Sequence, residues 1–141
     1  MTWIFYAFLS AGFAALVAIF GKVGIQNIDS TLATTVRSFI MAAFLMLISL
    51  SLGKFKGFSI TQFTGKEWAF ITLAGIAGAL SWLFYFFALK NGPAGAVSAI
   101  DRTSIIFVVL LAALFLGEGL GWKSALGAVF IALGAYLITL K

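Results

Sequence analysis

Five long apolar stretches divide the chain and are separated by short polar segments. Each has about the 20 residues that a helix needs to cross the roughly 30 Å hydrocarbon core of a bilayer. None shows the alternating pattern of about ten residues that marks a strand of a membrane barrel. The pattern therefore predicts an all-α membrane protein in which one domain, residues 1–141, crosses the bilayer five times. The predicted spans are residues 3–20, 32–52, 68–89, 93–116 and 122–140.

Polar residues between the spans predict where helices begin and end. Asp29 or Ser30 is a candidate N-cap for the second span, since a short side-chain oxygen there can accept an unpaired backbone amide. Between the third and fourth spans, Gly92 fits the position just past a helix end and Pro93 fits the first residue of the next helix. The longer connection 53–65 mixes lysines with phenylalanines, which is typical of chain lying in the headgroup layer.

Composition agrees with a lipid environment. Hydrophobic residues make up 63% of the chain and charged residues 9%, whereas a soluble domain has about 25% charged residues. The formal charge is +5, but the lysines lie mostly at the ends of spans, where lipid headgroups account for them. We therefore expect the bilayer, and no nucleic acid, as the partner of these cations.

Residue types that carry out most catalysis are missing from the sequence. Cysteine and histidine are both absent, which removes the usual thiol nucleophile, the usual general base and the commonest metal ligand. No paired carboxylates and no phosphate-binding glycine loop stand outside the spans. We expect no enzyme activity, no catalytic residues, no metal site and no cofactor.

The distribution of basic residues predicts almost no preference for either orientation of the spans in the membrane. Orientation follows the lysine and arginine bias of short loops, and here the two faces differ by nought or one. The face of the N-terminus holds Lys54, Lys56, Lys66 and Lys123, and the opposite face holds Lys22, Lys90, Lys141 and the nearby Arg37. One interpretation is insertion in both directions, giving an inverted homodimer of ten helices; the other is near-equality by chance in a small count.

Three charged residues lie inside apolar spans, where charge costs roughly 2.5–3.5 kcal/mol on the insertion scale. Arg37 lies about 8 Å and Asp101 about 12 Å from the same face, so the two side chains are predicted to pair. Arg102 lies about 100° around the helix from Asp101 and must point to a dimer interface or a cavity. Such residues either fix helix packing or meet an anionic or zwitterionic solute or a coupling proton.

Aromatic and small residues complete the candidate site. Trp82 and Tyr85 share one face of the third helix, and Gly78 lies at one end of that face. The residues predicted to bind or couple substrate are Arg37, Ser81, Trp82, Tyr85, Asp101, Arg102 and Ser104. The residues predicted to allow close helix packing are Gly78, Gly127, Ala128 and Gly134.

Several short motifs, taken in order and at these distances, point to a known family. They are Lys22-Val23-Gly24-Ile25, Asp29-Ser30, Thr35-Val36-Arg37, Ser81-Trp82-Leu83-Phe84-Tyr85-Phe86, Ile100-Asp101-Arg102-Thr103-Ser104, Leu114-Phe115-Leu116-Gly117-Glu118, Leu126-Gly127-Ala128 and Gly134-Ala135. The chain resembles a single EamA-type domain of the drug/metabolite transporter superfamily, of the short five-span bacterial and archaeal kind. That resemblance implies metabolite transport in a prokaryotic cell membrane. Longer relatives join two such domains in opposite orientations, and they usually carry a proline where this chain has residues 101–104.

Two functions remain open from the sequence. The first is a secondary transporter, with a small solute and a coupled proton or cation, in which two inverted copies alternate around a mid-membrane cavity. The second is a non-transporting membrane subunit that assembles with a separate five-span partner. The superfamily handles amino acids, sugars, nucleotide sugars and drugs, so the resemblance supplies no single substrate.

Overall fold

A computed structural model describes residues 2–119 and 121–140, and within them every long element is a helix. Lys141, which is predicted above to lie on the face opposite the N-terminus, lies outside the described residues. The elements are α1 (Thr2–Gly24), α2 (Ser30–Ser51), a 3₁₀ turn (Ile60–Gln62), α3 (Gly65–Asn91), α4 (Ala94–Asp101), α5 (Ser104–Phe115) and α6 (Trp122–Thr139). The predicted all-α fold is confirmed.

Five helical segments are long and apolar enough to cross a membrane. They are α1, α2, α3, the combined stretch Ala94–Phe115 and α6, with mean hydropathies from 1.5 to 2.1. Large apolar side chains lie on the outside of these helices, among them Phe8, 75% exposed, and Leu114, 77% exposed. Apolar surface of this extent is stable only against hydrocarbon. The chain is a multi-pass integral membrane protein.

The fourth span differs from the prediction because it is two helices rather than one. α4 ends at Asp101 and α5 begins at Ser104, so the interruption falls on the charged segment of the span. The start of this span also differs slightly: Pro93 has an extended backbone, with ψ 135°, and acts as the N-cap before Ala94.

Side-chain caps fix the starts of α2 and α3. One carboxylate oxygen of Asp29, Oδ1, accepts the Thr31 amide at 2.9 Å and the Leu32 amide at 3.0 Å, which confirms Asp29 as the N-cap. Thr64 and Glu67 form a capping box, with the Thr64 amide donating to Glu67 Oε2 at 2.7 Å and the Glu67 amide to Thr64 Oγ1 at 3.3 Å. This box starts α3 at Gly65 instead of the predicted residue 68.

Glycine ends α2 and leads the chain into the longest connection. Gly53 has φ 64°, a left-handed conformation that costs glycine little. The Lys54 amide then donates to the Ser49 carbonyl at 2.9 Å, and the Gly53 amide donates to the Leu50 carbonyl at 3.0 Å. This pair of bonds is the Schellman arrangement, which satisfies carbonyls that the helix end would leave unpaired.

The chain divides into two compact units, each described here by itself. The second unit, residues 23–90, contains α2, α3 and the connection between them. The rings of Phe55, Phe58 and Phe63 in that connection and of Trp68 near the start of α3 form a continuous row with centroids 5.4–6.0 Å apart. Aromatic rings flanked by lysines fit the headgroup layer, where one end of the side chain is apolar and the other is wet.

The first unit contains the described residues from 1–22 and 91–141. Within it α6 contacts both α4 and α5. Its buried side chains are small: Ala18 of α1 is 5% exposed, and Ala128 and Ala135 of α6 are 8% and 5% exposed. Small side chains allow helix backbones to approach closely, which is how helices gain contact energy in lipid.

Two lysines at helix ends donate hydrogen bonds to loop carbonyls. In the first unit Lys22 Nζ donates to the Gly92 carbonyl at 3.0 Å. In the second unit Lys90 Nζ donates to the Ile28 carbonyl at 2.9 Å. Each bond ties the end of a helix to a connection 62 or 70 residues away in sequence, so these cations stabilise the arrangement of their own unit.

The cap at Asp29 predicts a pH-dependent stability. Hydrogen bonds from the amides of Leu32 and Thr31, with the nearby charge of Lys90, hold the pKa of Asp29 below its usual value of 3.8. The resulting stability is present above that usual value and is lost as the pH falls through the lowered pKa. We expect Asp29→Ala to lower the melting temperature at pH 7 in detergent, and the difference from the parent chain to shrink as the pH falls below 3.8.

The matched control is Asp29→Asn, which keeps a capping oxygen but does not titrate. At neutral pH the melting temperature of Asp29→Asn should be closer to that of the parent than the melting temperature of Asp29→Ala is. Asp29→Asn should also lack the loss of stability that protonation of the carboxylate causes in the parent. A difference between Asp29→Ala and the parent that stays constant from pH 7 to pH 3 would contradict this role of the carboxylate.

Candidate functional site

The interruption of the fourth span is a tightened turn. The amide of Thr103 donates to the Ile100 carbonyl at 2.9 Å, that of Ile105 to the Arg102 carbonyl at 3.3 Å and that of Ile106 to the Thr103 carbonyl at 3.0 Å. Each bond joins residues three apart, the 3₁₀ pattern, which is frequent where a helix is strained or acts as a hinge. The backbones of Arg102 and Thr103 keep right-handed helical angles. The hydrogen-bonding pattern of the span therefore changes here, but the helix does not unwind.

A threonine hydroxyl supports this turn. Thr103 Oγ1 donates to the Ile100 carbonyl at 2.7 Å, the same carbonyl that accepts the Thr103 amide. Threonine side chains that bond the preceding turn compete with the regular helix and often bend it. The turn lies about 10 Å into the membrane, counting the rise from Ala94 to Asp101. Irregular backbone at that depth is tolerated where it is buried in protein or lines a cavity.

Charged and hydroxyl side chains surround the interruption. Asp101 and Thr103 are partly buried, whereas Arg102 and Ser104 are exposed. Arg102 and Ser98 line a cavity of about 410 Å³ in the first unit. The other lining residues are mostly small and come from α1, α4 and α6: Ala11, Ala14, Ala15, Ala18, Ile19, Ala94, Gly95, Ala99 and Ile138. The guanidinium of Arg102 therefore borders a cavity that is lined mostly by alanine.

In the second unit Arg37 is stacked on an aromatic ring. Its guanidinium carbon lies 3.8 Å from the ring centroid of Trp82 and 5.4 Å from that of Phe86. The Trp82 ring meets Tyr85 and Phe86 edge-on, at centroid distances of 5.5 and 6.1 Å. Phe86 is 2% exposed and anchors the cluster. A desolvated cation over a tryptophan face is stabilised by about 2 kcal/mol.

The structure therefore assembles the predicted site residues in two groups. Arg37, Trp82 and Tyr85 come together in the second unit, whereas Asp101, Arg102 and Ser104 surround the interrupted helix of the first. Ser81 is exposed on α3. Arg37 and Asp101 belong to different units, and their predicted ion pair stays a prediction.

The sequence contains enough information to predict the contact between Arg37 and Trp82. Arg37 lies seven residues after Ser30, where α2 begins, and Trp82 lies seven residues before Leu89, near the end of α3. Both therefore lie about 10 Å from the same face. Their equal depth on consecutive spans is the sequence signal for this contact, whereas opposite charge alone favours Asp101.

The structure also contains a groove between α2 and α3 that was not predicted from the sequence. It has a volume of about 490 Å³ and contains four hydroxyl side chains. Three of them donate to carbonyls of their own helix: Thr34 to Ser30 at 2.7 Å, Thr35 to Thr31 at 2.9 Å and Ser38 to Thr34 at 2.8 Å. These hydroxyls offer only acceptor lone pairs to the groove, which is otherwise lined by Phe39, Ala42, Ala79, Leu80 and Leu83.

The small residues predicted to pack behave differently from one another. Ala128 is 8% exposed and lines a cavity of about 390 Å³ between α5 and α6. At Gly78, Gly127 and Gly134, no atom of the described residues lies within 4 Å of the point that a Cβ would occupy, apart from the adjoining residues and backbone of the same helix. These glycines leave room on the surface of a single copy, and their role in a contact with a second chain stays a prediction.

Comparison with known proteins shows what the chain is similar to. Residues 1–140 match the EamA-like transporter family. A protein of Sinorhizobium sp. described as an "Uncharacterized transporter in cobO 3'region" is 42% identical over 137 residues, which are 97% of this chain and 96% of that protein. An uncharacterized transporter of Helicobacter pylori strain 26695 is 40% identical over 71 residues, which are 50% of this chain and 24% of that longer protein. No solved structure matches the chain significantly.

The stack of Arg37 on Trp82 predicts a measurable coupling. In a double-mutant cycle with Arg37→Gln and Trp82→Leu, we expect a coupling of about 1–2 kcal/mol in the free energy of unfolding, because the guanidinium is partly desolvated over the ring. Reversible unfolding in mixed micelles measures it. A matched cycle of Arg37→Gln with Phe84→Leu, an exposed ring on the same helix, should give additive effects. Equal coupling in the two cycles would mean that the stack is energetically neutral.

Proposed function

The chain belongs to the EamA-like transporter family, and we propose that it carries a small metabolite across the membrane by alternating access between two inverted copies. It is a membrane transporter of the drug/metabolite kind in the prokaryotic cell membrane. The family and its transporter-named relatives favour transport over enzyme activity. The proposal adds the mechanism, the assembly and the residues. The residues are the predicted set: Arg37, Ser81, Trp82, Tyr85, Asp101, Arg102 and Ser104.

The interrupted fourth span carries this proposal. Discontinuous helices near mid-membrane are a recurring feature of transporter binding sites, because the break exposes backbone dipoles and polar side chains at the depth where a solute must be held. Here the break has Asp101 and Arg102 on it and a hydroxyl-bonded 3₁₀ turn beside them. A helix that serves only to pack in lipid gains nothing from an interruption that costs regular hydrogen bonds.

Two inverted copies would supply what one copy lacks. An odd number of spans places the two ends of the chain on opposite faces, so a second copy in the opposite orientation restores the two-fold symmetry common in secondary transporters. The even distribution of basic residues allows that orientation.

The carboxylate at the interruption is the sharpest test of transport. We expect Asp101→Asn to abolish solute flux in proteoliposomes while the chain still inserts and purifies, because the change removes a charge without changing shape. The flux assay uses vesicles loaded with a mixture of metabolites and reads the loss of each by mass spectrometry. Glu118→Gln, which removes a carboxylate from an exposed connection, is the matched control and should keep flux. Unchanged flux in Asp101→Asn would exclude a role for this residue in transport.

Dual insertion is tested by the accessibility of a C-terminal tag. In sealed vesicles we expect an impermeant reagent to label about half of the tags from either side, because the positive charges favour neither orientation. Adding three lysines to the connection between α3 and α4 should shift the labelling towards one side. Labelling from one side alone in the parent chain would contradict self-pairing and favour the alternative, a subunit that assembles with a separate five-span partner.

A further inference from the structure

We propose that Arg37, stacked on Trp82, binds the carboxylate of a small monoanionic solute. This inference rests on the proposed transport function and names the class of substrate for it. It assigns to the second unit the group that holds the charged end of the solute. Its basis is the contact between a cation and a ring about 10 Å inside the membrane, where a charge with no carboxylate beside it in its own unit needs explanation.

The geometry leaves the hydrogen-bonding edge of the guanidinium available. An arginine has five N–H donors in one plane, and contact through the face of that plane uses none of them. The guanidinium carbon lies over the Trp82 ring, 3.8 Å from the ring centroid, a separation that fits contact through the face of the guanidinium. Within residues 23–90 the carboxylates are Asp29 and Glu67, and both accept amides at the starts of helices. The second unit therefore offers Arg37 a ring and no carboxylate of its own.

The number of cations favours a single negative charge. Lys54 and Lys56 lie in the connection after α2, and Lys66 lies at the start of α3. Lys90 donates to the Ile28 carbonyl at the other end of α3. Arg37 is thus the one cation of residues 23–90 inside a span, away from both ends. One arginine offsets one negative charge, so a carboxylate, which its planar fork matches with two parallel hydrogen bonds, suits this site better than a phosphate dianion, which would keep an uncompensated charge.

The ring also suits a site that must release its ligand. A buried ion pair within one copy would be strong and would compete with any incoming anion. A cation over a ring is held in place more weakly and keeps its full charge, because the ring contributes a quadrupole and no opposite charge. An anion can then bind at the edge of the guanidinium without breaking an existing salt bridge. The low dielectric of the site strengthens that contact relative to water.

Trp82 itself can report on anion binding. The full chain with Trp3, Trp68 and Trp122 changed to Phe keeps one tryptophan and is placed in vesicles of zwitterionic lipid. Iodide, an anionic quencher, and acrylamide, a neutral one, are titrated against its fluorescence. We expect iodide to quench efficiently, butyrate to protect Trp82 from iodide, and butyramide, its neutral analogue of similar shape, to give no protection.

Changes at Arg37 separate charge from geometry. With Arg37→Gln, iodide quenching should fall while acrylamide quenching stays, and the butyrate concentration for half-protection should rise about tenfold or more, as expected for losing hydrogen bonds to a charged group. With Arg37→Lys, iodide quenching should persist but protection by butyrate should weaken, since an ammonium lacks the planar fork. The matched control is Lys123→Gln, which removes a cation at the start of α6 and should change neither value.

The outcomes are decisive in either direction. Equal protection by butyrate and butyramide, or protection that survives Arg37→Gln, would overturn the proposal and leave the stack as packing alone. If the single-tryptophan chain does not fold, binding of radiolabelled butyrate to the unaltered chain and to Arg37→Gln decides by the same criterion. Because these assays measure binding without flux, their failure is separate from a failure of transport.

Discussion

Hydrocarbon offers no hydrogen bonds, so this chain must satisfy its backbone and its charges from within. That single constraint explains the chemistry at the helix ends. Asp29 accepts the first amides of α2, Thr64 and Glu67 cap α3 reciprocally, and Gly53 turns the end of α2 back on its own carbonyls. Lys22 donates to a loop carbonyl in the same way. The helices are mostly apolar along their length, and most of their polar side chains and hydrogen bonds to side chains lie at the helix ends.

The same constraint makes the exceptions informative. Thr103 bends the fourth span into a 3₁₀ turn although a continuous helix would satisfy the backbone better. By resemblance, longer relatives usually have a proline in this segment, and proline interrupts a helix by removing an amide donor. Here a β-branched hydroxyl residue produces an interruption while every residue keeps its amide. Two different chemistries can thus serve one requirement, a weak point in the helix beside ionisable side chains.

How much could be predicted follows from the range of each interaction. The five spans follow from composition and length alone, because lipid selects continuous apolar helices. Local caps such as Asp29 are also legible, since donor and acceptor are two or three residues apart. The interruption at Thr103 was not predicted, because the balance between four-residue and three-residue bonds depends on neighbours that the sequence does not place. The contact of Arg37 with Trp82 was not predicted for a different reason: opposite charge favours Asp101 as the partner, although the depth of Arg37 also allows contact with the face of Trp82.

The choice of partner for Arg37 matters to the mechanism because ring and carboxylate have opposite consequences. A carboxylate neutralises the cation, so a pair with Asp101 would lower the cost of burial and also remove the attraction for an anion. A ring lowers that cost only in part and leaves the charge in place. Under the proposed mechanism, an empty site that must attract a solute is better served by the ring. A site that must reset without solute would be better served by the carboxylate.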